Sequence, residues 1–202
     1  MGTRRGAIAF TLVELLVAAG LFLLLVVVMI KLLVPAFRIS TRTSVRSELH
    51  QRGHHAVNTL RNDLQRTPTA GLRVYQAAPE RTLLVLHRLR DADVEGDPVY
   101  QNNLVIYERI GDKLWRYIYE DTAPEFTQTV QRPDLTQTEN YLTEVSEGKI
   151  LTGDISAFSV SDADPDPGRL KQPITVALAL ERGRDTEKQS LSLLQKITMR
   201  NP

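Results

Sequence analysis

Apolar and polar positions divide the chain into three patterns. From Leu15 to Ile30 there is no charged side chain, and the apolar run extends back through Leu12 and Val13 to Phe10. Residues 10–30 form a helix of about 31 Å at 1.5 Å per residue, which matches one bilayer hydrocarbon core. Glu14 is the sole ionisable group within it. Beyond it the pattern becomes amphipathic. Val45, Leu49, Ala56, Leu60 and Leu64 follow steps of four and seven, and Arg46, Glu48, Gln51, Arg52, Arg61 and Asn62 fill the other face. That spacing predicts a helix continuing to about residue 66, stopped by Pro68 and by the non-helical bias of the residue before it. Pro35 should kink or locally melt this helix, and Gly53 should weaken it. The stripe is expected to carry the sheet of a following domain.

After Pro68 the period shortens. Strands are predicted at residues 72–75, 82–89, 104–110 and 114–119, the last two joined at Gly111-Asp112 as a hairpin. Residues 155–161, 174–180 and 190–199 complete the set. Ile174, Val176, Leu178 and Leu180 alternate with less apolar residues, as in a strand with one buried face. Residues 121–146 are polar, with Pro124 and Pro133, and read as a long loop with little regular structure. A long helix followed by antiparallel strands predicts an α+β fold with the helix packed on the sheet. The expected divisions are a leader at 1–9, a transmembrane half at 10–30, an amphipathic half at 31–67 and a β-rich globular domain at 68–202.

Charge sharpens this picture. The 202 residues carry a net charge of +1, which gives no general reason to expect nucleic acid. Its distribution is uneven: residues 38–73 hold seven Arg against Glu48 and Asp63, whereas residues 91–166 hold 17 acids and five bases. A basic helix beside an acidic domain suits subunits that attract one another in an array. There is no Cys, so an exported domain must rely on its core. Lys31, Arg38, Arg42 and Arg46 follow the apolar tract while Arg4 and Arg5 precede it, so charge counting alone favours the N-terminus outside.

Candidate chemistry is sparse. Nucleophile-elbow, phosphate-loop, dinucleotide and zinc-protease signatures are missing, and no acid, base and nucleophile cluster, so no enzyme and no cofactor is expected. His50 and His54 lie four apart on the predicted helix, but no third ligand accompanies them, which favours plain helix surface. The acidic runs at 91–97 and 162–166 alternate oxygens as a calcium loop does. Asn102 and Pro173 stand where the bidentate Glu belongs, so solvated turns are expected instead. Trp115, Tyr117 and Tyr119 share one strand face, read as core or cross-strand pairing.

The stretch Phe10-Thr11-Leu12-Val13-Glu14-Leu15-Leu16-Val17-Ala18 resembles the N-terminus of the type IV pilin-like family of prepilins and pseudopilins. The resemblance implies cleavage by a prepilin peptidase just before Phe10, methylation of the new amine, and pairing of Glu14 with the amine of a neighbouring subunit. The family usually has Gly before the cut, and Ala9 stands there. A cut after Gly6, the nearest Gly, would leave Ala7 first and Glu14 eighth, so the Phe-to-Glu spacing favours Ala9–Phe10. Residues 60–64, Tyr107-Glu108-Arg109, Leu114-Trp115-Arg116 and residues 155–160 before Pro173-Ile174-Thr175-Val176 resemble the larger minor pseudopilins, of the J-type in type II secretion or the W-type in type IV pili. The implied partners are other minor and major pilins, the peptidase, an inner-membrane assembly platform and the lipid bilayer. The implied location is the inner membrane, crossed once with the C-terminal domain periplasmic, and then the tip of a pilus or pseudopilus. An ordinary signal peptide fits less well, because the tract is long and no small-residue site follows it. The other class of reading is an unprocessed single-pass anchor bearing an envelope sensor or binding domain.

Overall fold

A computed structural model describes residues 11–78, 80–92, 97–145, 147–161, 173–183 and 188–199. The chain divides into two units, Met1–Ser44 and Val45–Pro202. Helix α1, Leu12–Gln65, runs without interruption through Pro35, so the expected local melting does not occur. Pro35 still removes one backbone donor there. Every residue from 11 to 44 is exposed except half-buried Val26. Among the described residues one helix, α1, is long and apolar enough to cross a membrane.

In the second unit, α1 is followed by a short 3-10 turn, Thr69–Gly71, and eight strands among the described residues. Strands β1 (Leu72–Ala78), β2 (Arg81–Ala92), β3 (Pro98–Ile110), β4 (Lys113–Glu120) and β5 (Lys149–Thr152) form an antiparallel sheet in that order. Strands β6 (Ile155–Ser161), β7 (Ile174–Arg182) and β8 (Gln189–Ile197) form a second, three-stranded antiparallel sheet. The two sheets are stitched where the Ile155 N–H donates to the Asp112 carbonyl at 2.9 Å, beside the β3–β4 turn. That turn pairs Ile110 with Lys113 and needs Gly111, whose φ is +57°.

The stripe on α1 carries the sheets as its period predicts. Leu49, Ala56, Val57, Leu60 and Leu64 are buried in one cluster with Leu84 and Leu86 of β2, Val105 and Tyr107 of β3, and Ile174, Val176, Leu178 and Leu180 of β7. Each fully buried Leu contributes about 1.5–3 kcal/mol by transfer from water. Gly53 has a packing reason: a Cβ there would lie 2.8 Å from Leu193 Cδ1 and 3.0 Å from Leu180 Cδ1, so the helix backbone approaches the second sheet closely.

The five-stranded sheet is covered on its opposite face too. Leu83, Val85, Leu104 and Ile106 pack with Phe126, Leu135, Tyr141 and Leu142. This explains why residues 82–87 of β2 are all buried and do not alternate. The covering residues come from the stretch expected to be an irregular loop. It contains helices α2, Glu125–Gln128, and α3, Leu135–Glu144. Helix α3 is nucleated by a capping box: the Gln137 N–H donates to Asp134 Oδ1 at 2.7 Å, and the Asp134 N–H donates to Gln137 Oε1 at 3.0 Å. Strand β5, between Gly148 and Gly153, was also not foreseen.

Candidate functional site

The predicted site lies at the start of α1. Gly6, Ala9 and Phe10, the residues assigned to processing, fall outside the described residues. Glu14 is described and exposed. Its Oε2 accepts from the Thr11 N–H at 3.0 Å and from Thr11 Oγ1 at 3.2 Å, while its own N–H donates to Thr11 Oγ1 at 3.3 Å. This reciprocal pattern is a capping box, with Thr11 as N-cap and Glu14 three residues on. The signal for this cap stands in the sequence as Thr11-Leu12-Val13-Glu14, a threonine followed three residues later by an acid. The cap gives the carboxylate a local role and places it where the helix dipole favours an anion.

His50 and His54 stack with ring centroids 6.1 Å apart, His50 half-buried and His54 exposed. Among the described residues no three His, Cys, Asp or Glu side chains are grouped to hold a metal ion. In the two acidic runs, residues 93–96 and 162–166 lie outside the described residues. Trp115 stacks on Tyr117 with centroids 6.1 Å apart, and Tyr119 stacks on Tyr141 of α3 at 4.2 Å. Tyr117 and Tyr119 thus pack into the second core beneath α2 and α3.

A polar centre that sequence reading missed sits at the other end of α1. Asp63, 6% exposed, accepts from three donors on three adjacent strands. Arg88 Nη1 of β2 lies 2.8 Å from Oδ1; Tyr107 Oη of β3 and Arg116 Nε of β4 lie 2.6 and 2.9 Å from Oδ2. Arg88 Nη2 also donates to Asn103 Oδ1 at 3.1 Å, and its Nε is buried without a partner among the described residues. Burial, with the Asp63 carboxylate alongside, pushes the Tyr107 phenol far above its ordinary range. Burial works against the Arg116 charge, yet the bond to Asp63 prevails and its pKa rises. The sequence signal was an acid in phase with the stripe, three residues after Leu60, and arginines on inward positions after Leu86 and Leu114.

Two further arrangements fix the covering segment. Arg81 bridges buried Glu108 and Glu139 of α3, both at 2.7 Å. His87, 0% exposed, donates from Nε2 to the Gln101 carbonyl at 2.8 Å and accepts at Nδ1 from the Gln131 N–H at 2.9 Å. Both bonds are made by one neutral tautomer, and burial lowers the imidazole pKa. Tyr100 stacks on this ring at 5.0 Å, and Phe126 meets it edge-on at 5.2 Å.

Comparison with protein-family models, with curated proteins and with solved structures finds no match for this chain.

Proposed function

We propose that this chain is a membrane-anchored assembly subunit of the type IV pilin-like class, a minor pilin or pseudopilin that helps initiate or cap a filament. One observation carries the reading: Glu14 is the lone charge in an otherwise uncharged, exposed stretch of helix from Leu12 to Ile30. An acid at that depth is costly unless a function retains it and a cation answers it. On this reading prepilin peptidase cuts before Phe10, the new amine is methylated, and a neighbour's amine pairs with Glu14 once the subunit leaves lipid for the filament. The single span holds the subunit in the inner membrane, with the α+β unit periplasmic and later at the filament tip. Ala18-Ala19-Gly20 gives neighbouring helices room for close approach. Its partners are other minor and major pilins, the assembly platform and the lipid bilayer, with no nucleic acid.

A specific observation favours the rival reading, an unprocessed single-pass anchor with an outer sensor or binding domain. The Glu14 carboxylate already has donors in Thr11. Glu14→Gln separates the two, because Gln sustains a capping box but carries no charge. Loss of filament assembly, or of secretion, in Glu14→Gln supports the pilin reading; normal assembly in that variant sinks the charge-pairing role. Mass spectrometry of the extracted protein adds an independent readout. A start at Phe10, methylated, is expected, and a start at Met1 or Gly2 overturns processing.

A further inference from the structure

Strand β8 is an edge of the second sheet, and among the described residues no strand pairs with its outer side. Its pairing with β7 is regular from Ile174↔Ile197 to Arg182↔Gln189, so the strand runs without a bulge. Residues 189–195 contain no charge and no Pro, two of the devices that blunt an open edge. The side chains alternate. Leu191, Leu193 and Gln195 are half-buried, whereas Ser190, Ser192, Leu194 and Lys196 are exposed, Leu194 by 70%. The strand thus presents a row of outward backbone donors and acceptors.

Helix α1 forms a wall above that edge. Gly53 meets β8 directly, because a Cβ there would lie 2.8 Å from Leu193 Cδ1 and 3.2 Å from Leu191 Cδ2. One flank of the helix turns the other way, toward β7 and the start of β6: Glu48 pairs with Arg182 at 2.7 Å, and Arg52 with Asp154 at 3.7 Å. At about 100° per residue, positions 48 and 52 lie about 140° and 100° to that side of Gly53. Positions 46, 50, 54 and 61 lie about 20–100° to the opposite side, beyond β8. They are Arg46, His50, His54 and Arg61; Val57 and Leu64 share the arc and are buried. No carboxylate lies in it, since Glu48 is on the far flank and Asp63 is buried.

A strand added to β8 would therefore run beneath this flank. Its side chains toward α1 would meet two guanidinium and two imidazole groups, which answer carboxylates. Its alternate side chains would lie beside Leu194, which apolar residues cover. We propose that the open edge of β8, walled by Arg46, His50, His54 and Arg61 of α1, is a docking groove for an extended partner segment that alternates acidic and apolar residues. Backbone pairing supplies the affinity, and the α1 flank selects for acid. A partner strand is favoured over a free anion because the cations overlook a row of outward backbone groups. The groove lies within the second unit and does not depend on how the start of α1 is processed.

Full-length chain in detergent micelles, titrated with a fluorescently labelled peptide of about ten residues alternating Glu and Val, tests this by anisotropy. Saturable binding is expected, with hydrogen exchange slowed at the β8 amides and unchanged at those of β1 and β6. The double variant Arg46→Gln, Arg61→Gln changes only exposed side chains and is expected to bind about tenfold more weakly. A peptide of the same composition with all Glu before all Val is expected to lose about as much. Absence of binding overturns the proposal, as does slowed exchange at β1 or β6 in place of β8. A double variant that binds as the native chain does overturns it too. Equal binding of the block peptide overturns it in favour of plain charge attraction. An oligothymidylate that binds more tightly than the alternating peptide overturns it in favour of nucleic acid.

Discussion

At the scale of single residues, Asp63 gathers three donors from three strands on one carboxylate. One buried carboxylate answers two half-buried guanidinium groups, so its removal leaves two positive charges without their counterion. Breaking a buried pair by deleting one partner costs about 3–5 kcal/mol, well above the usual effect of a point change. Asp63→Ala is therefore expected to lower stability by about that much. Chemical denaturation of the detergent-solubilised chain, followed by the fluorescence of Trp115, checks it. A loss comparable to that of an exposed acid would show that Asp63 does not hold the strands. The contrast with Glu14 is instructive. Both are acids on α1, but Glu14 announces itself by interrupting an apolar run. Asp63 hides in a mixed sequence, where only its phase relative to Leu60 and Leu64 marks it as inward.

At the scale of elements, hydrophobic period was the reliable guide wherever an element was long. The α1 stripe, the alternation of β7 and the Gly111 hairpin were legible because burial on one face imposes a period, and a tight turn demands a particular residue. Strands β2 and β3 outran their predicted bounds because pairing with each other, not hydropathy, extends them to Ala92 and back to Pro98. Helix α3 escaped because its Thr and Asn residues are weak helix formers and its docking on the sheet is a tertiary effect. The local clue was the Asp134…Gln137 capping box. Asp134→Ala should cost about 1 kcal/mol, with exchange of the α3 amides with solvent rising ahead of those in β3. Equal protection of both elements in that variant would show that the cap does not govern α3.

At the scale of the whole molecule, His87 couples the covering segment to acidity. Its folded pKa is lowered, so the unfolded chain binds the proton more readily, and stability rises with pH wherever that difference operates. The contribution is complete above the unfolded value of about 6.5 and is lost as pH falls from there toward the folded value. Protonation also turns Nδ1 into a donor facing the Gln131 N–H, which removes that bond. Unfolding free energy measured from pH 7.5 down to 5 is expected to decline, and His87→Gln should flatten the decline. An unchanged slope in the variant would assign it to other groups. Neither this clamp nor the full set of Asp63 partners was readable in advance, because each joins residues far apart in sequence. The Thr11–Glu14 cap is legible in the sequence because both residues lie within one helical turn.

The convergence on Asp63 also bears on traction. Tension travelling along α1 toward its C-terminal turn arrives at a side chain gripped at once by β2, β3 and β4. One side chain near the end of the helix thus answers to three strands at once.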